Sequence, residues 1–195
     1  MSGFPSLQPA MTAQVVIAPP FAIGNLSRGS GLNVVSYPNH IQPITAGTLK
    51  SEPGFSPAVD AEFVHGSDYI HADPTQKHVR LNVKSVLKNK DGAVGYPATR
   101  IQGYTWLTDN WQQLIALLYT GTINLSEATA AILQGSPDAK TTEFGDAFTH
   151  LEIETGADSL RELESGQFVA SGRFVIEPGK PTMVEYKISK VVVGK

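Results

Sequence analysis

The chain has 195 residues, 41% of them hydrophobic and 17% charged, enough for one well-packed domain with at most a small extra element. A net charge of -3, from 15 Lys and Arg against 18 Asp and Glu, gives no cationic field for a phosphate backbone, so nucleic acid is not an expected partner. The absence of Cys removes disulfides, thiol nucleophiles, thiolate zinc sites and iron-sulfur clusters together, which suits a reducing, cytoplasmic setting.

The first ten residues read as flexible. Pro5, Pro9, Pro19 and Pro20 interrupt an N-terminal stretch with no basic leader, so no signal peptide is expected there. No run approaches the roughly 20 apolar residues that a membrane helix needs, and no membrane partner is expected. "TAQVVIA" (residues 12–18) is rich in β-formers and ends at Pro19-Pro20, which predicts a short strand. "GNLSRGSGLN" (residues 24–33) reads as a loop. It lacks the Gly-Lys-Ser/Thr that a phosphate cradle requires.

From Ile41 onward, short β-rich segments recur between turn residues: "IQPITAGTLK", "SPAVDAEFV", "DYIHA", "KHVRLNVKSVLK" and "AVGYPATRIQGYTW". A turn is predicted at Gly66, and Asn89-Lys90-Asp91-Gly92 is a hairpin signal because Asp-Gly supports the twist antiparallel strands need. Pro97 places its segment at an edge or a bulge. The period then changes. "TDNWQQLIALLYTG" offers Thr108 or Asp109 as a cap, with Trp111, Leu114, Ile115 and Leu118 at helical spacing and Gly121 as a stop. "NLSEATAAILQG" repeats the design with Ser126 as cap and Gly135 as terminator, so residues 108–135 are predicted to be a two-helix insertion. Strands resume with "FTHLEIE", "QFVASGRFVIE" and "MVEYKISKVVVG". The predicted fold is mainly β: residues 1–195 form a single antiparallel β-barrel, closed because closure removes exposed strand edges.

Alternation along these strands sorts their polar residues onto faces. His78, Arg80, Asn82 and Lys84 share one face; Tyr96, Arg100, Gln102, Tyr104 and Trp106 share another. Asp60 and Glu62 go together, as do Tyr69 and His71, and "FTHLEIE" contributes Phe148, His150, Glu152 and Glu154. If those faces point inward, His150 or His71 is the acid-base group, because His titrates near neutral pH, and Glu152 or Asp60 orients it or acts as base. Arg80 or Arg100 with Tyr104 would bind an anionic oxygen, and Tyr69, Trp106 and Phe148 would supply aromatic wall to the substrate. If they point outward, they are a solvated surface, the commoner arrangement in antiparallel sheets. No HExxH or other ligand-spaced cluster supports a metal, and no GxSxG, Walker or GxGxxG motif is present, so no metal and no cofactor are expected.

In order along the chain, a Gly-rich loop, "PITAG" (residues 43–47), "GSDY" (66–69), "VRLNVKSVLKNKDGAVGY", a helical stretch, "FTHLEIETG" and "FVASGRF" resemble the family catalogued as domain of unknown function 3237. The resemblance spans roughly residues 20–194, with Ala46 where that family usually has a second Gly. It implies a small calycin-like antiparallel barrel of the kind found in microbes and fungi, and it carries over no catalytic residues. The functional expectation is a cofactor-independent cyclase, isomerase or lyase acting in a barrel pocket on an apolar polyketide- or terpenoid-like small molecule of specialised metabolism. The alternative is a barrel that binds such a molecule without turnover. The Val-rich "KVVVGK" offers an edge through which a homodimer would form.

Overall fold

A computed structural model describes residues 3–19, 21–24, 39–73, 75, 77–90 and 114–194. Nine strands follow in order: β1 (Pro5–Ile17), β2 (Phe21–Gly24), β3 (Asn39–Ser51), β4 (Asp60–Ala72), β5 (His78–Asn89), β6 (Leu114–Asn124), β7 (Ala147–Thr155), β8 (Phe168–Val175) and β9 (Met183–Val193). They form one antiparallel sheet in the order β1-β9-β8-β7-β6-β5-β4-β3-β2, and β1 also pairs with β3. That last pairing, from Met11↔Ser51 to Ile17↔Ile44, closes eight strands into a barrel and leaves β2 as a short extra strand beside β3. An eight-stranded barrel is just wide enough for side chains to fill.

The barrel strands bury alternate residues, most regularly on β5, β7 and β8, as the pleat dictates. On β5 the buried set is Val79, Leu81, Val83, Ser85, Leu87 and Asn89; on β7 it is Ala147, Thr149, Leu151 and Ile153; on β8 it is Phe168, Ala170, Gly172 and Phe174. One end of the barrel is plugged. Leu160 and Leu163 of a 3₁₀ helix (Asp158–Leu163) are buried there, and Phe55 of the β3–β4 connection meets Phe168 edge to face at 6.4 Å. At the opposite end the β6–β7 connection carries α1 (Glu127–Leu133), whose Ile132 and Leu133 pack against the core.

Several expectations are corrected. Residues 5–10, read as flexible, belong to β1 and pair with β9 from Pro5↔Val193 onward. Val191–Val193 of the "KVVVGK" stretch pair with β1, while the β8 ladder reaches β9 only as far as Phe168↔Lys190. Gly66 is not a turn. β4 runs straight through it, because a side chain at that point would sit 2.8 Å from Ile44 Cδ1 and 2.9 Å from Ser85 Cβ. The first predicted helix is overturned from Leu114 onward, where the chain is β6; residues 108–113, the Asp91-Gly92 turn and the strand around Pro97 lie outside the described residues. The second helix stands as expected: the Ser126 hydroxyl accepts from the Thr129 amide at 3.3 Å and donates to Asp146 Oδ2 at 2.7 Å. Ser126→Ala should lower stability by about 1 kcal/mol, read as a shift in a urea unfolding midpoint.

Candidate functional site

Among the described residues, the end of the barrel beside α1 is open and leads inward. A cavity of about 730 Å³ lies between α1, the end of β1 and the β8–β9 connection, with an apolar wall that includes Ile70, Val79, Leu125, Ile132 and Leu133. This is the size range of small-molecule sites. Ile17, Gln42, Ile70, Leu133 and Phe174 also border a deeper space of about 30 Å³, reaching Asp68, Tyr119 and Tyr186. That inner space holds one group the size of a water.

The inner end is polar because four residues stand in phase with the apolar faces of their strands. Asp68 shares the inward parity of Ile70 on β4. β4 and β5 pair at Asp68↔Val83 and again at His71↔Arg80, and the Asn82 amide between them donates to Asp68 Oδ1 at 3.0 Å. Desolvation nonetheless dominates and pushes the Asp68 carboxyl up to about 7, against the lowering effect of that hydrogen bond. At neutral pH the group is divided between acid and base. Tyr119 on β6 and Tyr186 on β9 meet edge to face with ring centres 5.5 Å apart, and both are buried. Burial raises both phenols well above the usual range, and the nearby Asp68 adds to this. The two phenols are hydrogen-bonded to each other, and a pair that shares one such bond keeps one hydroxyl proton to offer elsewhere. Gln42 Nε2 donates to the Ala18 carbonyl at 2.6 Å, which fixes its side chain at the neck.

Behind the two tyrosines Thr149 is buried, and its Oγ1 has no hydrogen-bond partner among the described residues. It borders a tight gap shared with Tyr119 and Tyr186. Among the described residues lining the inner space there is no Lys, Arg or His. Among the described residues lining the outer cavity the one cation is Lys180, bridged to Glu177.

The residues singled out from sequence fall elsewhere. His150, Glu152 and Glu154 are exposed on the outer face of β7, with His150 Nε2 3.3 Å from Gln167 Oε1. Phe148, on the same face, is 54% exposed. His71 and Tyr69 are exposed on β4. Arg80 lies outside the barrel, its Nη2 3.0 Å from Asp73 Oδ2, and His78 Nε2 is 3.1 Å from the same oxygen. Asp60 sits by the plugged end, 3.8 Å from Lys50 Nζ and 3.9 Å from Lys90 Nζ. Arg100, Tyr104 and Trp106 lie outside the described residues. The inward orientation on which a pocket role depends is thus absent for His150, Glu152, His71, Tyr69, Arg80 and Phe148, and the structure does not gather them into one cluster. Among the described residues no group of three His, Cys, Asp or Glu is arranged to hold a metal, and no helix is long and apolar enough to cross a membrane.

Residues 5–191 match the family model described as "Protein of unknown function (DUF3237)". The chain belongs to the DUF3237 family. The small antiparallel barrel that the sequence resemblance implied is the fold found here. None of the curated proteins matches this DUF3237 chain. Among solved structures it is similar to a conserved protein of unknown function from Rhodopseudomonas palustris, at 16% identity and a TM-score of 0.64, covering 98% of this chain and 100% of that one. A beta-barrel-like protein from Acinetobacter baumannii gives 19% identity and a TM-score of 0.61, covering 96% of each chain. An enzyme from Penicillium herquei gives 11% identity and a TM-score of 0.50, covering 96% of this chain and 94% of that one. Identities this low establish the shared barrel alone.

Asp68, Tyr119, Tyr186 and Thr149 were missed by reading strands for polar faces. The signal that locates them is the opposite one, a polar residue in phase with an apolar face: Asp68 with Ile70, Thr149 with Leu151 and Ile153, Tyr186 with Val184 and Ile188.

Proposed function

We propose that this DUF3237 chain is a cofactor-independent isomerase, cyclase or lyase for an apolar, polyketide- or terpenoid-like small molecule bound at the open end of the barrel. The observation that carries this reading is Asp68, a carboxyl desolvated at the bottom of an apolar cavity and poised near neutrality. A group with these properties is fitted to take a proton at one position of a substrate and return it at another. Tyr186, with Tyr119 beside it, is placed to hydrogen-bond the substrate oxygen on which electron density accumulates. The named enzyme among the barrel neighbours is compatible with catalysis in this architecture, as analogy of fold.

The chemistry is tested without the natural substrate, by deuterium exchange into 2-tetralone in D2O followed by NMR. In this reaction the proton leaves the ketone α-carbon for the Asp68 carboxylate, the carbonyl oxygen accepts from Tyr186, and a deuteron returns to carbon. The wild-type protein is expected to accelerate exchange near neutral pH, and Asp68→Asn to lose about 100-fold of that acceleration. Acceleration that survives Asp68→Asn removes Asp68 from the reaction. Binding of 2-tetralone with no acceleration by the wild type replaces the enzyme with the non-catalytic binding barrel, for which the apolar cavity is equally suited.

A further inference from the structure

We propose that the inner site takes an uncharged apolar molecule oxygen-first, with a carbonyl-type acceptor oxygen at its leading end, and rejects the matching carboxylate. This rests on the reading of the barrel interior as the site, and extends it to the class of molecule admitted.

The argument begins with size and order. A ligand entering from outside passes the apolar walls of the 730 Å³ cavity before it reaches a 30 Å³ space that contains Asp68, Tyr119 and Tyr186. Only one small polar group fits at the tip, so the ligand body must match the apolar part and a single oxygen the inner part.

The donor inventory then sets the polarity. Tyr119 and Tyr186 share one hydrogen bond, which uses one phenol proton and leaves the other free for an acceptor on the ligand. Neutral Asp68 supplies a second O–H, as its other oxygen receives the Asn82 amide. Gln42 has committed an N–H to Ala18. The inner space therefore offers hydrogen-bond donors and wants an acceptor.

Charge completes the selection. The described residues facing Asp68 from β3, β5, β6 and β9 are Gln42 and Ile44, Leu81, Tyr119 and Ile123, and Val184 and Tyr186, together with the Asn82 amide. None of them is cationic. A carboxylate brought to this point loses its hydration and meets no countercharge, and once Asp68 ionises it meets a like charge. Lys180 at the rim does not alter this, because it is already bridged to Glu177.

Three near-isosteric probes separate the terms: 2-acetonaphthone, 2-naphthoate and 2-ethylnaphthalene, titrated at pH 6 by calorimetry into the wild type, Tyr186→Phe and Leu133→Trp. The ketone is expected to bind the wild type about tenfold more tightly than the hydrocarbon, the order that one hydrogen bond supplies, and at least tenfold more tightly than the carboxylate. Tyr186→Phe should cut the ketone's advantage over 2-ethylnaphthalene at least threefold, one of the donors being lost, while the hydrocarbon's affinity stays within twofold. Leu133→Trp, which fills the neck, should abolish binding of all three. A carboxylate that binds as tightly as the ketone, in a manner Leu133→Trp blocks, overturns this inference and leaves the site in place. Binding indifferent to Leu133→Trp, or no binding of ketone and hydrocarbon to the wild type, overturns the site itself. Because Tyr186→Phe removes one buried hydroxyl and no carbon, it keeps the selectivity test independent of whether the tryptophan variant folds.

Discussion

Asp68→Asn is expected to leave stability nearly unchanged at pH 4 and to raise it progressively toward pH 8, by at most about 4 kcal/mol. The Asp68 carboxyl titrates near 7 in the folded barrel and near 4 in the unfolded chain. Below pH 4 both states hold the proton and the group contributes nothing to the balance. Between about 4 and 7 the folded state binds more protons than the unfolded one, so wild-type stability falls as pH rises through that window. Above 7 the loss levels off, because both states are then ionised. A shift of this size corresponds to about 4 kcal/mol, and water reaching the carboxyl from the open cavity lowers the figure. Asparagine keeps an oxygen for the Asn82 amide while removing the titration. Urea unfolding of both proteins from pH 4 to 8 decides the matter: curves that diverge above pH 4 and become parallel above 7 support a desolvated carboxyl, and parallel curves throughout show that Asp68 is solvated in the folded protein. A residue that weakens the fold at the pH where it is half-protonated is what a proton-transfer site entails.

The strand pattern made the barrel legible, and "FTHLEIE" shows how far that reading extends. Its alternation was readable from sequence, with Leu151 and Ile153 on one side and His150, Glu152 and Glu154 on the other. Which side faces in depends on the remaining seven barrel strands. Their apolar sets also point inward, so the ionisable side is left on the surface. β6 was illegible for a different reason. In "LIALLYTG" both faces are apolar: Ile115, Leu117 and Tyr119 face the core, while Leu114, Ala116 and Leu118 are half-buried on the other side. With no polar face to reveal a period of two, Trp111, Leu114, Ile115 and Leu118 fitted a helical spacing equally well. Gly66 punctuates the sequence as a turn would, but its role comes from the close approach of Ile44 and Ser85 on neighbouring strands, which only the sheet register brings together. The polar cluster is long-range in the same sense. Asp68, Tyr119 and Tyr186 come from β4, β6 and β9, and nothing local in any one segment marks them as neighbours.

Phe168→Ala should cost about 3–5 kcal/mol and leave the open end of the barrel unaltered. Phe168 has no exposed surface, and its ring packs against Phe55 and over Gly166, where an added Cβ would lie 2.5 Å from Phe168 Cε2. The 3₁₀ helix that buries Leu160 and Leu163 covers the same end of the barrel, so truncating the ring opens a void between plug and barrel. The surrounding strands cannot close onto that void, since Phe168 is held in register between Leu151 on β7 and Lys190 on β9. Near the other end of β8 is Phe174, which borders both the outer cavity and the inner space. Six steps along the strand separate the two aromatics, about 20 Å at the rise of an extended chain. A drop in the urea midpoint with 2-acetonaphthone affinity unchanged within twofold, measured at a temperature where the variant is fully folded, is therefore the expected pair of results. Loss of affinity in step with stability would mean that plug and cavity are coupled along β8, and that the closed end helps to hold the geometry of the open one.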